Sequence, residues 1–137
     1  MPKKNRPSTR RKRNKYGDKL PPKKPDYTFI TPRGFAGTYE QLTCLNFSKN
    51  DKTKLIYFKV ILKHKFTNDW KDVVSFDTYH KNRTYLHGHT MVNGKKKLLK
   101  NIPDYEDLNK ARRWLNEHMN KKWRYYVKLF IRNNKKL

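Results

Sequence analysis

The residues best suited to chemistry form a histidine-rich group near the middle of the chain. The stretch FDTYHKNRTYLHGHT, residues 76–90, holds three of the five histidines. His87 and His89 are two positions apart, so in a strand both side chains point to the same face of a sheet. A turn before them would bring Asp77 and His80 alongside. The spacing therefore predicts a compact group of imidazoles with one carboxylate.

Three interpretations of this group are open. Two histidines can serve as general base and general acid on an RNA 2′-hydroxyl and its leaving oxygen, because imidazole titrates near neutral pH. Two imidazoles and a carboxylate could instead bind a divalent transition metal. The third interpretation is a histidine pair on the sheet surface with a purely structural role. In the catalytic reading the residues would be His80, His87, His89 and Asp77, with Arg83 or Lys81 stabilising the phosphorane charge.

The elements that must position these residues are predicted from hydrophobic periodicity. Apolar alternation and turn signals predict four antiparallel strands at 39–48, 54–64, 71–80 and 84–92. The first strand has Leu42 and Cys44 on its apolar face, and Cys44 is expected to be a small core residue. Asn93–Gly94 is expected to end the fourth strand. Residues 26–38 are expected to be an extended lead-in without regular structure, because they contain Pro32, Gly34 and Gly37.

A helix is predicted after the strands, starting at Pro103 and Asp104 and running to about residue 132. A break near Asn120, or a strand over 123–131, is an open alternative. The apolar stripe of this helix comprises Leu108, Ala111, Leu115, Met119, Trp123, Tyr126, Val127 and Phe130. The predicted fold is α+β: a small antiparallel β-meander packed against a long C-terminal helix, within a single domain at 26–137.

The charge of the chain predicts a polyanionic partner. There are 35 Lys+Arg against 11 Asp+Glu, a net charge of +24. Residues 1–25 contribute eleven cations, one acid and five prolines, which predicts a disordered basic arm. The remaining residues still carry +14. Nucleic acid is the expected partner, with an anionic membrane surface or a merely solubilising tail as alternatives. The arm residues expected to bind phosphates are Arg6, Arg10, Arg11, Lys12, Arg13 and Lys15.

Two further basic segments are expected to take part in nucleic-acid binding. One is the run Lys95, Lys96 and Lys97. The other is the interleaved segment KWRYYVKLFIR at 122–132, in which Lys122, Arg124 and Lys128 could hold phosphates while Tyr125 or Trp123 stacks on a base. The alternative is that these aromatic residues belong to the core and the cations form its wet face.

Several function classes are excluded by the motifs that the sequence lacks. It contains no glycine-rich phosphate loop, no Cys-x-x-Cys and no nucleophile elbow, so nucleotide hydrolysis, thiol chemistry and serine hydrolysis are not expected. A single cysteine rules out an internal disulfide and fits a reducing compartment. Without a secretion signal or a long apolar run, an intracellular, cytoplasmic protein is expected. No cofactor is expected, apart from a possible divalent metal.

The pattern Phe76-Asp77-x-x-His80, Leu86-His87-x-His89 and a following helix with Ala111 and Leu115 is similar to short uncharacterised prokaryotic sheet–helix proteins. Some of these occur in toxin–antitoxin-type loci. The resemblance covers roughly 54–130 and implies an RNA-directed, toxin-like domain with the Asp and His residues in its site. The basic arm and the lysine run depart from that pattern and favour plain binding.

The sequence as a whole predicts a nucleic-acid-binding protein with RNA favoured over DNA. This preference rests on the aromatic residues and on the lack of a helix-turn-helix or zinc signature. A small ribonuclease is the first alternative. A structural ribonucleoprotein or ribosome-associated protein is the second. A protein partner that masks the basic surface is also possible.

Overall fold

A six-stranded antiparallel sheet with one long helix forms the fold of the described residues. The computed structural model describes residues 24–35, 37–66, 69–78 and 86–134. The sheet is a meander in which each strand pairs with the next along the chain. This architecture confirms the predicted α+β meander with a C-terminal helix. The elements are β1 (Tyr27–Arg33), β2 (Tyr39–Phe47), β3 (Leu55–Phe66), β4 (Asp69–Asp77), β5 (His87–Val92), β6 (Lys95–Leu98) and α1 (Leu108–Asn133).

The core lies between α1 and one face of the sheet, hereafter the helix-covered face. Phe58, Val60 and Leu62 alternate along β3 and are fully buried on this face, as their period-two spacing predicts. The apolar stripe of α1 packs against them and against neighbouring side chains of β4 and β5. All eight predicted stripe residues are buried, so the helical periodicity identified the core correctly. The other side of the sheet is the open face.

The orientation of β2 differs from the prediction. Its buried residues are Gln41, Thr43, Leu45 and Asn46, whereas Cys44 is only half-buried. The register pairs Leu45 with the buried Phe58, so the odd-numbered residues of β2 point toward α1. The placement of Cys44 in the core was therefore wrong. This short strand has apolar residues at both odd and even positions, so its sequence does not reveal which face α1 covers.

The two edge strands, β1 and β6, were not predicted from the sequence. β1 pairs with β2 over its full length, and Pro32 stands opposite Glu40. A proline is tolerated there because an edge strand has one side that needs no backbone N–H. Asn93 and Gly94 both have positive φ, of 51° and 82°, as a tight hairpin turn requires. They end β5, as predicted, and connect it to β6, so the sheet continues by one more strand.

The helix begins later than predicted and runs without interruption. Asp107 is its N-cap, and the Asp107 carboxylate accepts hydrogen bonds from the backbone N–H groups of Asn109 and Lys110 at 2.8 and 3.3 Å. Pro103 and Asp104 precede the helix. The predicted alternatives, a break near Asn120 or a strand over 123–131, are both wrong. Burial of Tyr126, Val127 and Phe130 against the sheet holds the segment helical despite its β-branched and aromatic residues.

Most of the predicted basic arm, residues 1–23, lies outside the described residues. No helix in the described part of the chain is both long enough and apolar enough to cross a membrane.

Candidate functional site

Side chains with chemical potential form one row across the open face. Cys44 pairs with Lys59, Lys59 pairs with Asp77, and Asp77 pairs with His87. Directly paired residues of antiparallel strands point to the same face with their Cβ atoms about 5 Å apart. A thiol, an ammonium, a carboxylate and an imidazole therefore follow one another across β2 to β5. We call these four residues the transverse row.

The histidines reach this face because the residues between and after them belong to the core. Gly88 stands opposite the buried Phe76, and Thr90 stands opposite the buried Val74. Since side chains alternate along a strand, His87 and His89 must point the other way. The prediction that the two histidines share a face agrees with this register.

His87 and Asp77 form the closest polar contact of the site. His87 Nε2 lies 2.8 Å from Asp77 Oδ1, and the side chains are 14% and 24% exposed. The contact is an ion pair when the imidazole is protonated. The same Asp77 oxygen is buried without an aligned hydrogen bond. Among the described residues, charge attraction to His87 is the interaction that the structure gives to this oxygen.

His89 completes the predicted group on the described strands. Its ring meets that of His87 edge to face, with centroids 5.2 Å apart and planes at 85°. Burial lowers the pKa of His89, and the nearby His87 and Lys96 lower it further, while Asp77 acts in the opposite direction. His89 is thus neutral near pH 7 and can accept a proton. The structure brings together one imidazole held by a carboxylate and a second held neutral.

Tyr57 and the thiol of Cys44 border the group and were not predicted as site residues. Burial raises the pKa of Tyr57, and the negative charge of Asp77 raises it further. Burial also raises the pKa of the Cys44 thiol, which Lys59 and Lys63 only partly offset. Both groups therefore stay protonated near neutral pH. Only the β2–β3 register brings Cys44 to this row, and register was not evident from the sequence.

Three predicted site residues, His80, Lys81 and Arg83, lie outside the described residues. Within the part of the chain that is described, no group of three or more His, Cys, Asp or Glu side chains is placed to hold a metal ion.

The predicted basic residues of the domain lie on two exposed surfaces. Lys95, Lys96 and Lys97 form most of the edge strand β6, where all three are exposed. Lysines on an edge strand also prevent strand-to-strand aggregation, which is a structural reason for their presence. The other surface is the solvent side of α1, where Lys122, Arg124 and Lys128 are exposed. The predicted arm residues, from Arg6 to Lys15, lie outside the described residues.

The solvent side of α1 carries a longer line of cations than the prediction contained. These residues recur at helical spacing within a sector about 100° wide, and their line is about 33 Å long at 1.5 Å per residue. All of these cations are exposed, and Glu117 is the one acid that lies between them on this side of the helix. We call this line the helical stripe. It comprises Lys110, Arg113, Lys121, Arg124, Lys128 and Arg132.

The two aromatic residues proposed for base stacking differ in position. Trp123 is buried and packs 5.2 Å from the ring of Tyr39, with the Arg124 guanidinium 4.5 Å above the indole. Its proposed stacking role was therefore wrong. Tyr125 is 53% exposed, and Lys122 Nζ lies 5.6 Å from its ring centroid. Of these two residues, Tyr125 is the one exposed enough to stack on a base.

Comparison with known proteins identifies a family for most of the chain. A family model described as "Domain of unknown function (DUF7718)" matches residues 39–136. No curated protein and no solved structure is significantly similar to the chain. The match extends from the start of β2 through α1 and includes the transverse row and the helical stripe, but neither β1 nor the arm. The chain therefore belongs to the DUF7718 family.

Proposed function

We propose that this protein binds nucleic acid, with RNA preferred over DNA, through phosphate contacts from the helical stripe and from the basic arm. The helical stripe carries this proposal. Six exposed cations with a single acid among them follow one side of a rigid helix. Like charges in such a line repel one another, and a polyanion relieves that repulsion while releasing its own counterions.

The preference for RNA rests on Tyr125, which lies beside the helical stripe. Its exposed ring and the adjacent Lys122 ammonium can take an unpaired base and its phosphate together. Proteins read RNA mostly where bases are unpaired and free to stack, whereas bases in duplex DNA are already stacked. A single-stranded RNA is therefore the ligand expected to bind best.

The test removes three cations from the helical stripe in the variant Lys121→Gln/Arg124→Gln/Lys128→Gln. Its matched control, Lys49→Gln/Lys52→Gln/Lys54→Gln, makes the same charge change in the β2–β3 turn, whose residues are also exposed. Affinity for a single-stranded RNA is measured by fluorescence anisotropy over a range of salt concentrations. We expect the log–log salt slope to fall by about 2 in the stripe variant, since each lost phosphate contact removes about 0.7.

Equal losses of slope in the two variants would show that only net charge matters, and the stripe would not be the interface. An equal or tighter affinity for duplex DNA of the same length would overturn the RNA preference.

A second candidate function is RNA cleavage, which the Asp77–His87–His89 geometry favours. Neutral His89 takes the proton of a ribose 2′-hydroxyl, and the 2′-oxygen attacks the adjacent phosphorus. The bond from phosphorus to the 5′-oxygen breaks, and protonated His87 gives its proton to that oxygen. Lys59, next to Asp77 in the transverse row, is positioned to stabilise the phosphorane charge. The products are a 2′,3′-cyclic phosphate and a 5′-hydroxyl.

Cleavage is tested on end-labelled RNA, with and without a chelator, scored for both gel shift and fragmentation. We expect cyclic-phosphate fragments that persist with chelator, disappear in His87→Ala/His89→Ala, and remain in the control His118→Gln. A salt-sensitive shift with intact RNA would leave binding as the function and give the histidines a structural role. The toxin-like resemblance stays a prediction until this experiment is done.

A further inference from the structure

The sheet splits at one end and leaves a cleft between β4 and β5. Pairing between these strands runs only from Asp77–His87 to Val74–Thr90. A bulge at Val73 interrupts the register of β4 at this point. Beyond it the two strands separate around a cavity of about 660 Å³. This volume lies within the range of about 300–1,000 Å³ that is typical of small-molecule sites.

Asn134, directly after α1, joins the end of the helix to β5 at the cleft. The buried side chain of Asn134 donates hydrogen bonds to the carbonyl oxygens of Met91 and Phe130 at 2.7 and 2.8 Å. Its Oδ1 accepts a hydrogen bond from the backbone N–H of Asn93 at 2.6 Å. Asn134 thus bonds the backbone at the end of β5, where β4 no longer pairs with it. The cleft is a built feature of the fold, with defined walls.

The lining of the cleft combines aromatic, apolar and basic groups. Trp70, which is 38% exposed, lines it together with Met91 and Phe130. Lys71 and Lys96 line it as well, and both are exposed. The lining also includes one acid, Asp72, whose carboxylate is 3.0 Å from Lys63 Nζ.

The charge balance at the cleft is positive. Asp72 is neutralised by its ion pair with Lys63, so its charge does not offset the two lining lysines. A third ammonium, that of Lys65, lies 6.0 Å from the Trp70 ring centroid. A flat, partly apolar ligand with negative charge matches this combination. A nucleotide has this chemistry, since its base stacks on aromatic rings and its phosphate pairs with lysines.

We propose that this cleft binds one unpaired nucleobase of a single-stranded RNA, with the base against Trp70 and the phosphate between Lys71 and Lys96. The inference rests on the proposed RNA binding and adds a site that recognises a single base. Lys96 also lowers the pKa of His89, so the cleft and the histidine group share a cation. A strand that leaves the cleft past Lys96 therefore runs toward the histidine group.

The test uses adenosine 5′-monophosphate as the probe, titrated into the full chain and followed by calorimetry and tryptophan fluorescence. Trp70→Ala is expected to weaken binding at least about ten-fold, because stacking of one base on an aromatic side chain contributes about that factor to the affinity. Trp70→Phe should retain most of the affinity. Lys96→Gln should weaken binding several-fold, whereas the control Lys52→Gln, with the same charge change in the exposed β2–β3 turn, should not.

Ribose 5-phosphate, which has no base, separates stacking from charge. We expect it to bind at least about ten-fold more weakly than the nucleotide. Equal binding of the two probes, or unchanged nucleotide affinity in Trp70→Ala, would overturn the cleft proposal. RNA binding with a normal salt slope in Trp70→Ala would in that case leave the proposed function intact. Loss of RNA binding in the helical-stripe variant with normal nucleotide binding would instead contradict the proposed function alone.

Discussion

Gly88 is the residue that lets a core strand present two histidines on its outer face. A Cβ atom at this position would lie 2.6 Å from Cε2 of Phe76 and 2.9 Å from a methyl group of Leu99. The ring of Phe76 therefore occupies the space that a side chain would need. The His-Gly-His sequence combines two open-face positions with one core position, and only the core position needs to be glycine.

Gly88→Ala should destabilise the protein by about 1–3 kcal/mol, because the added methyl group overpacks a filled core. The free energy of unfolding is measured by urea denaturation. Phe76→Leu, alone and combined with Gly88→Ala, serves as the control. The cost of the alanine should be smaller in the Phe76→Leu background, because the two sites are in contact. Strictly additive costs would contradict the steric explanation.

His118 is a half-buried imidazole that is expected to make stability depend on pH. Its Nε2 is 2.6 Å from the Tyr126 hydroxyl, and its ring stacks on Trp114 with centroids 4.5 Å apart. Burial lowers the pKa of His118, and the charge of Lys122 lowers it further. Below its ordinary pKa of about 6.5, the unfolded chain binds a proton that the folded chain resists. Stability is therefore expected to fall as the pH falls from 7 toward 5.

His118→Gln should make that fall shallower, because one titrating group is removed. The difference should be well under the limit of about 1.4 kcal/mol per pH unit, because solvent screens a half-exposed site. Urea denaturation at several pH values between 5 and 8 gives the slope. His89→Gln is the comparison, since it removes a second imidazole of lowered pKa without touching Tyr126. Parallel curves for wild type and His118→Gln would contradict the assignment.

At the scale of elements, those with strong hydrophobic periodicity were predicted from the sequence, whereas the edge strands were not. β3 and α1 have long apolar patterns, and both were placed correctly apart from the helix start. β6 consists of three lysines and a leucine, so it has no apolar face to recognise. It is held by backbone pairing with β5 across the Asn93–Gly94 turn. Backbone pairing of this kind depends on the neighbouring strand, so it cannot be predicted from the composition of the segment itself.

Asn134 couples two of these elements, α1 and the β5–β6 hairpin. Asn134→Ala should destabilise the protein by about 1–3 kcal/mol, because it leaves buried backbone groups without their partner. Amide hydrogen exchange should show that protection is lost most at the end of β5. The neighbouring substitution Asn133→Ala is the matched control and is expected to cost much less. If both substitutions cost the same, the bonds of Asn134 would not be what joins the helix to the hairpin.

At the scale of the whole molecule, the two candidate surfaces lie on opposite sides. The helical stripe faces solvent on the outer side of α1, while the transverse row lies on the open face of the sheet. Part of each surface was predicted, since the cation spacing and the His-x-His spacing are local features of the chain. It did not place Lys59 and Cys44 beside Asp77, because strand register is a property of the folded sheet. One RNA must cross an edge of the sheet to contact both surfaces.

The basic arm is the segment expected to extend binding beyond either surface. A deletion that tests it must stop at residue 23. The backbone carbonyl of Lys24 accepts a hydrogen bond from Asn46 Nδ2 at 2.9 Å, and the Asp26 carboxylate accepts one from the Phe47 N–H at 2.8 Å. These contacts hold the start of β1 against the end of β2. A deletion of residues 1–23 keeps both contacts and removes ten cations and one acid.

The deletion should weaken RNA binding and flatten its salt dependence, because each arm cation at a phosphate contributes about 0.7 to the log–log slope. The expected loss is several units of slope, larger than that of the three-residue stripe variant, and it is measured by the same anisotropy titrations. A full-length chain with residues 1–23 in shuffled order keeps the charge and should keep the slope. Loss of binding in the shuffled chain would mean that the arm acts by a specific sequence. An unchanged slope after deletion would mean that the arm does not contact RNA and that the folded domain alone carries the interface.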